Sequence, residues 1–196
     1  MDQIFIIINL ISSASENNFW LAILVFASIS LIYNSFSLPG NILFMLFSGF
    51  LFGTYVGYLI SILTISLGSF NFFLISKFVF YNFFPSIYKK YSSKIDSYIK
   101  NSKFEYLVII RMIPGPPLML QNFFLSLVNV SKLNFLFSTL LGLTPIIFIT
   151  SFFGSKLKTI TDIKSFNMND VLTIDFFILI LIIILLIFVK IYFKKK

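Results

Sequence analysis

Leu133 to Phe153 runs for 21 residues without a charged side chain, and it is one of several such stretches. At 1.5 Å per residue a helix of that length reaches about 30 Å, the depth of a bilayer's hydrocarbon. Phe19 to Phe36 gives a second stretch of 18 residues, with Trp20 and Tyr33 near its ends. Aromatic residues favour such interfacial positions. Tyr55 to Phe84 is longer and carries only Lys77, and Leu172 to Val189 carries only Asp175, near one end. Lys77 lies within snorkelling reach of an interface. In hydrocarbon every backbone group must be satisfied internally, which leaves helices as the building material. Only 11% of the 196 residues are charged, where a soluble domain has about a quarter. The expected fold is an all-α polytopic membrane protein. No polar block is long enough for a soluble domain, so 1–196 reads as a single membrane domain.

The same sequence removes several chemistries. It has no cysteine and no histidine, which excludes disulfides, Cys/His zinc sites and imidazole bases. Its seven carboxylates are scattered and none pairs at metal-ligand spacing inside an apolar stretch. No metal, no cofactor and no enzyme is expected, since nothing stands ready to activate a serine or threonine. The net charge of +8 sits in short segments beside apolar runs. That placement fits anionic phospholipid headgroups and topology control rather than nucleic acid.

The apolar pattern is interrupted most sharply at Arg111-Met112-Ile113-Pro114-Gly115-Pro116-Pro117. A charge at membrane depth costs roughly 2.5 to 3.5 kcal/mol on insertion scales, and prolines break the helical ladder. Two readings stand. The segment is the elbow of a re-entrant hairpin, 104–130, lining a polar site; or it is a helix–loop–helix at the surface, with Arg111 snorkelling to headgroups. The arms on either side are too short to span alone. Asn122 and Gln121 add amides to the second arm.

A second interruption, Leu38-Pro39-Gly40-Asn41, precedes an apolar run of only 11 residues, Ile42 to Phe52. Gly49, Gly53 and Gly57 then recur at spacing four. On one continuous helix they would make a smooth packing face. The alternative, preferred because the run is too short to cross, is a hairpin over 38–54 that turns back near Phe52-Gly53-Thr54. Ser86 to Lys103 holds five lysines against Asp96, with apolar residues at three and four. It reads as an amphipathic basic helix on the cytoplasmic surface. Pro145, three residues after Gly142, predicts a kink in the span 133–153, with Thr144 or Ser138 serving the freed carbonyls. Gly154 to Asp170 reads as a polar loop on the outer side. The count is about four transmembrane helices plus two opposed re-entrant hairpins, both termini being cytoplasmic. Opposed broken segments are how secondary transporters build midplane sites.

This order of motifs resembles the SNARE-associated Golgi protein superfamily, or VTT domain, which includes the bacterial DedA-like proteins. The residues that carry the resemblance are Leu38-Pro39-Gly40, Gly49, Gly53, Gly57, Gly68, Lys77, Phe104-Glu105-Tyr106, Arg111, Pro114, Pro116-Pro117, Asn122, Gly142, Pro145 and Gly154. They span a core of 36–156. The resemblance implies two facing re-entrant hairpins, a bacterial inner membrane location, and transport or scrambling of lipids. The candidate substrate-binding residues are Arg111, Pro114, Gly115, Pro117, Asn122 and Asn41, of which the resemblance carries over Arg111, Pro114 and Pro117. Structural roles fall on Pro39, Gly40, Gly49, Gly53, Gly57, Gly68, Gly142 and Pro145. One departure matters: DedA-type members tend to carry acidic residues in the first hairpin, and this chain has Asn41 there.

The leading expectation is a flippase or scramblase acting on phospholipid or polyprenyl-phosphate headgroups, with Arg111 meeting the phosphate. A small-ion or solute transporter would need a membrane-depth titratable pair, for which Glu105 with Arg111 is the nearest candidate. A non-catalytic scaffold would work instead through the basic helix 86–103. Homo-oligomerisation is left open by the sequence.

Overall fold

The computed structural model describes residues 17–86, 89, 104–112, 117–127 and 130–161, the side chains of 158–161 excepted. The N-terminal run, most of the basic helix 86–103, the tip 113–116 and the span 172–189 lie outside the described residues. Among the described residues there are five helices: α1 (Phe19–Ser35), α2 (Asn41–Phe83), α3 (Phe104–Met112), α4 (Leu118–Ser126) and α5 (Lys132–Thr161).

The longest helix is not one rod. Gly53 has φ 79° and ψ 174°, a backbone that residues with a Cβ rarely adopt. In a straight helix Ser48 and Ser61 would stand about 20 Å apart; their hydroxyl oxygens are 2.6 Å apart. Met45 likewise packs with Ile62 and Ile65. The chain therefore folds back at Gly53, and α2 consists of a short first arm, 41–52, antiparallel to a long second arm, 54–83. Hydropathy alone would count Asn41–Phe83 as one crossing. The fold-back leaves only the second arm, about 45 Å long at 1.5 Å per residue, able to cross.

The second arm and α5 run antiparallel. Their partners advance in opposite directions: Thr54 with Ser155, Tyr58 with Thr144, Phe73 with Phe135. Helix α1 lies along the second arm in the parallel sense, through Ser30–Thr64 and Asn71–Ser35. It packs on the first arm through Phe26–Phe52 and Tyr33–Phe44 ring contacts. Helices α3 and α4 both pack onto this bundle: Leu107 and Leu125 share one apolar cluster with Phe73, Val130 and Phe135.

The burial pattern is that of a protein dissolved in hydrocarbon. Trp20, Leu24, Ile32, Leu63, Phe78, Leu133 and Leu141 face outward, Trp20 at 77% exposure. Asn34, Ser48, Ser66, Asn122, Ser138, Thr139 and Ser151 are buried. Water would penalise such a surface, whereas lipid tails accept it, and small or hydroxylic residues then serve helix packing. The chain is an all-α, multi-pass membrane protein.

Three sequence expectations are corrected. The glycines at 49, 53 and 57 do not share one face. Gly53 is the turn, and a Cβ on Gly57 would sit 2.5 Å from the Ser48 carbonyl oxygen of the opposite arm. Gly49 instead meets α5, where its Cβ would fall 2.0 Å from the Ser151 carbonyl oxygen. Gly154 does not open a loop. Helix α5 continues through it to Thr161, and its missing side chain admits the Leu46 backbone at this crossing. At Pro145, within α5, the correction concerns the two hydroxyls. Its missing N–H frees the Leu141 carbonyl, yet Thr144 donates to Leu140 O at 2.8 Å and Ser138 to Phe135 O at 3.1 Å.

Candidate functional site

Arg111 ends the last turn of α3 with only 2% of its surface exposed. The reason it can lie so deep is on α5. A Cβ at Gly142 would stand 2.4 Å from the Arg111 Cβ and 2.8 Å from the Val108 carbonyl oxygen. Glycine alone lets α3 approach this closely. The guanidinium then lies over the Phe135 ring, its carbon 4.7 Å from the centroid. Phe135 stacks in turn on Phe73 at 4.2 Å, and Lys77 Nζ stands 5.4 Å from the Phe73 centroid. A cation on an aromatic face gains about 2 kcal/mol when desolvated.

The polar side of the site comes from α4 and from the link between α1 and α2. Arg111 Nη1 donates to Asn122 Oδ1 at 2.6 Å. Asn122, fully buried, spends its amide N–H on Ser37 Oγ at 3.0 Å. Ser37 is itself buried and has φ 51°, a left-handed value unusual for a residue with a side chain. The three side chains thus tie α3, α4 and the 36–40 link into one hydrogen-bonded row. Arg111 Nε and Nη2 have no hydrogen-bond partner. Those two nitrogens form the side-on fork of a guanidinium, the edge that takes an oxyanion bidentately.

The electrostatics are those of an unbalanced cation. Removing a charge from water costs several kcal/mol even after relaxation. One charge-assisted hydrogen bond returns about 1.5–3 kcal/mol. The aromatic face adds a similar amount. No carboxylate among the described residues pairs with Arg111. Glu105 is exposed on the first turn of α3, so the Glu105–Arg111 pair considered from sequence is not formed.

The other sequence-predicted residues distribute as follows. Pro117 is exposed and immediately precedes α4 with φ −52° and ψ 141°; Pro114 and Gly115 lie outside the described residues. Asn41 opens α2 and is largely buried, with its Oδ1 unpartnered, and it is not hydrogen-bonded to Arg111. Gly40 precedes it at φ 103°, beneath Tyr33, whose hydroxyl donates to the Pro39 carbonyl. A Cβ on Gly68 would fall 2.4 Å from Asn34 Cβ, so this glycine sets the spacing of α1 from α2. Arg111 itself packs against other elements. Its neighbours are Asn122, Phe135 and Gly142, and the first hairpin is reached only at its mouth, through Ser37. Leu118 of α4 packs against the cluster of Met45, Ile62, Ile65, Leu143 and Ile147, to which the first arm of α2 contributes Met45.

Sequence reasoning missed Ser37, Phe135 and Asn34. Ser37 carried a faint signal, since it stands two residues before the Pro39-Gly40 break. Asn34 was a lone amide in an apolar span, which is itself a signal of burial against another helix. Phe135 carried none among 28 phenylalanines.

A buried arginine on one short helix, hydrogen-bonded to a second inside an inside-out bundle, defines a membrane protein with a polar centre. Residues 38–156 match the VTT domain model, and the chain belongs to that family. It is 26% identical over 170 residues to a transmembrane protein 41 homolog of Dictyostelium discoideum, an alignment covering 84% of this chain and 51% of that one. It is 28% identical over 157 residues to an uncharacterized membrane protein of Arabidopsis thaliana, covering 76% and 54%. The chain thus spans about half the length of these curated relatives. No solved structure matches it.

Proposed function

We propose that the protein moves lipids between leaflets, as a flippase or scramblase, with Arg111 as the headgroup-binding residue. The observation that carries this reading is the partnerless Nε–Nη2 edge of an arginine that is 2% exposed. A phosphate oxyanion is the group that fits such an edge, and a lipid can present one at membrane depth while its tails stay in hydrocarbon. In this reading the hairpins 38–54 and 104–130 are re-entrant and enter from opposite sides. The Gly53 fold-back and the short arms of α3 and α4 support it. The termini lie in the cytoplasm of a bacterial cell, with the protein in the inner membrane. Anionic phospholipids are its partners.

The test is reconstitution into liposomes carrying a tail-labelled phospholipid, with dithionite reporting its exchange between leaflets. Wild type should accelerate exchange over protein-free liposomes, and Arg111→Gln should fall at least tenfold. Equal exchange with and without protein refutes the reading.

A further inference from the structure

We infer that the Arg111 site is selective for singly charged phosphodiesters and rejects the dianionic form of a phosphate monoester. The inference rests on the proposed headgroup reading and goes further, to the charge and class of the ligand.

The argument is a count of charge around the open edge. From α4 the neighbour is Asn122, a neutral amide whose oxygen accepts from Nη1 and whose nitrogen donates to Ser37 Oγ. From the 36–40 link it is the Ser37 hydroxyl, and from α5 the Phe135 ring and Gly142. On α3 the other ionisable groups are Glu105 and Tyr106, both exposed. The second arm of α2 brings Lys77, whose Nζ stands 5.4 Å from the Phe73 centroid; Phe73 stacks on Phe135, the ring beneath Arg111. Lys77 and Arg111 thus engage different rings of that stack. Among the described residues the site therefore offers one positive charge.

One anionic charge on the ligand makes the pair neutral. A second would be buried without a counter-charge, which low-dielectric surroundings penalise heavily. A phosphodiester carries one charge throughout the physiological range. A phosphate monoester has a second pKa near 6, so it is mostly a monoanion below that value and a dianion above it. Asn122, Ser37 and Phe135 carry no ionisable charge in this range, so the pH dependence expected here belongs to the ligand. The sign follows: the monoester binds at acid pH and is lost as pH rises through its second pKa, while the diester is indifferent.

The experiment uses the full chain purified in detergent and titrated with phosphatidylglycerol or phosphatidic acid of identical tails. Binding is followed by native mass spectrometry at pH 5.5 and pH 8, with Arg111→Gln as control. Phosphatidylglycerol should bind equally at both pH values. Phosphatidic acid should come within about threefold of it at pH 5.5 and weaken by about tenfold or more at pH 8. Both should lose affinity in Arg111→Gln. Phosphatidic acid that tracks phosphatidylglycerol at both pH values, or gains at pH 8, overturns the inference, as does binding indifferent to Arg111. Adding millimolar glycerophosphoglycerol assigns the source of the diester: displacement points to the free headgroup, none to the lipid. Selective binding with no liposome exchange would leave this inference standing and sink the transport reading. Exchange without selectivity would do the reverse.

Discussion

Asn122→Asp is the most informative single change, because it supplies the missing counter-charge without moving a heavy atom of the framework. Asn122 Oδ1 is already 2.6 Å from Arg111 Nη1. An aspartate there is nearly isosteric, and Ser37 Oγ, which accepts from the amide at 3.0 Å, can rotate to donate to the carboxylate instead. Two unit charges 4 Å apart attract by about 4 kcal/mol at an effective dielectric of 20. Burying the carboxylate cancels much of that, so stability should hold or rise by about 1–2 kcal/mol. The ligand is affected differently. With the site neutralised, an incoming anion loses an attraction of that same order, which is up to about three decades of affinity. We expect lipid exchange at least tenfold below wild type, in a protein whose melting temperature in detergent is unchanged or higher. The pairing of the two results matters. A variant that melts lower has merely broken the site. A stable Asn122→Asp variant that exchanges or binds phospholipid like wild type would refute the assignment of Arg111 as an anion site.

Gly53→Ala should lower stability by about 1–2 kcal/mol, because φ 79° strains any residue with a Cβ even though nothing lies within 4 Å to clash; an unchanged melting temperature would mean the fold-back is not made there. Gly142→Val should cost more, about 1–3 kcal/mol, since its Cβ would meet Arg111 Cβ at 2.4 Å, and it should depress phospholipid binding by displacing α3. For the Ser48–Ser61 hydroxyl pair, either single change to valine should destabilise, while the double change should cost less than the two together, because it strands neither partner. Thermal melts of the four proteins in one detergent decide this cycle.

The sequence made the solvent legible and the turn at Gly53 nearly so. Eleven apolar residues after Pro39-Gly40 are too few to cross a bilayer, and a glycine is what a fold-back needs. It also singled out Arg111, since a charge between apolar stretches requires an account. What it could not show is which neighbours that arginine acquires. Spacing along one helix orders residues around its own axis, whereas Arg111, Asn122, Phe135 and Gly142 come from three helices and meet only after packing. The shared glycine face, the reading not preferred from sequence, fails for a related reason. Periodicity of four implies a shared face only if the helix continues, and Gly53 breaks it in the middle, sending Gly49 to α5 and Gly57 back to Ser48. Gly154 misled in the opposite sense. A glycine after an apolar run reads as a helix end, yet here it lets the first arm of α2 cross α5 at backbone contact. In water, glycine inside a helix is a cost; in lipid, close backbone approach is among the main sources of helix association. That exchange of roles places both Gly142 and Gly154 within one helix. One sets how close the arginine-bearing α3 can come, and the other how close the first arm can come. Helix α5 therefore fixes the positions of both hairpins, and the polar row from Arg111 through Asn122 to Ser37 can form only because it does.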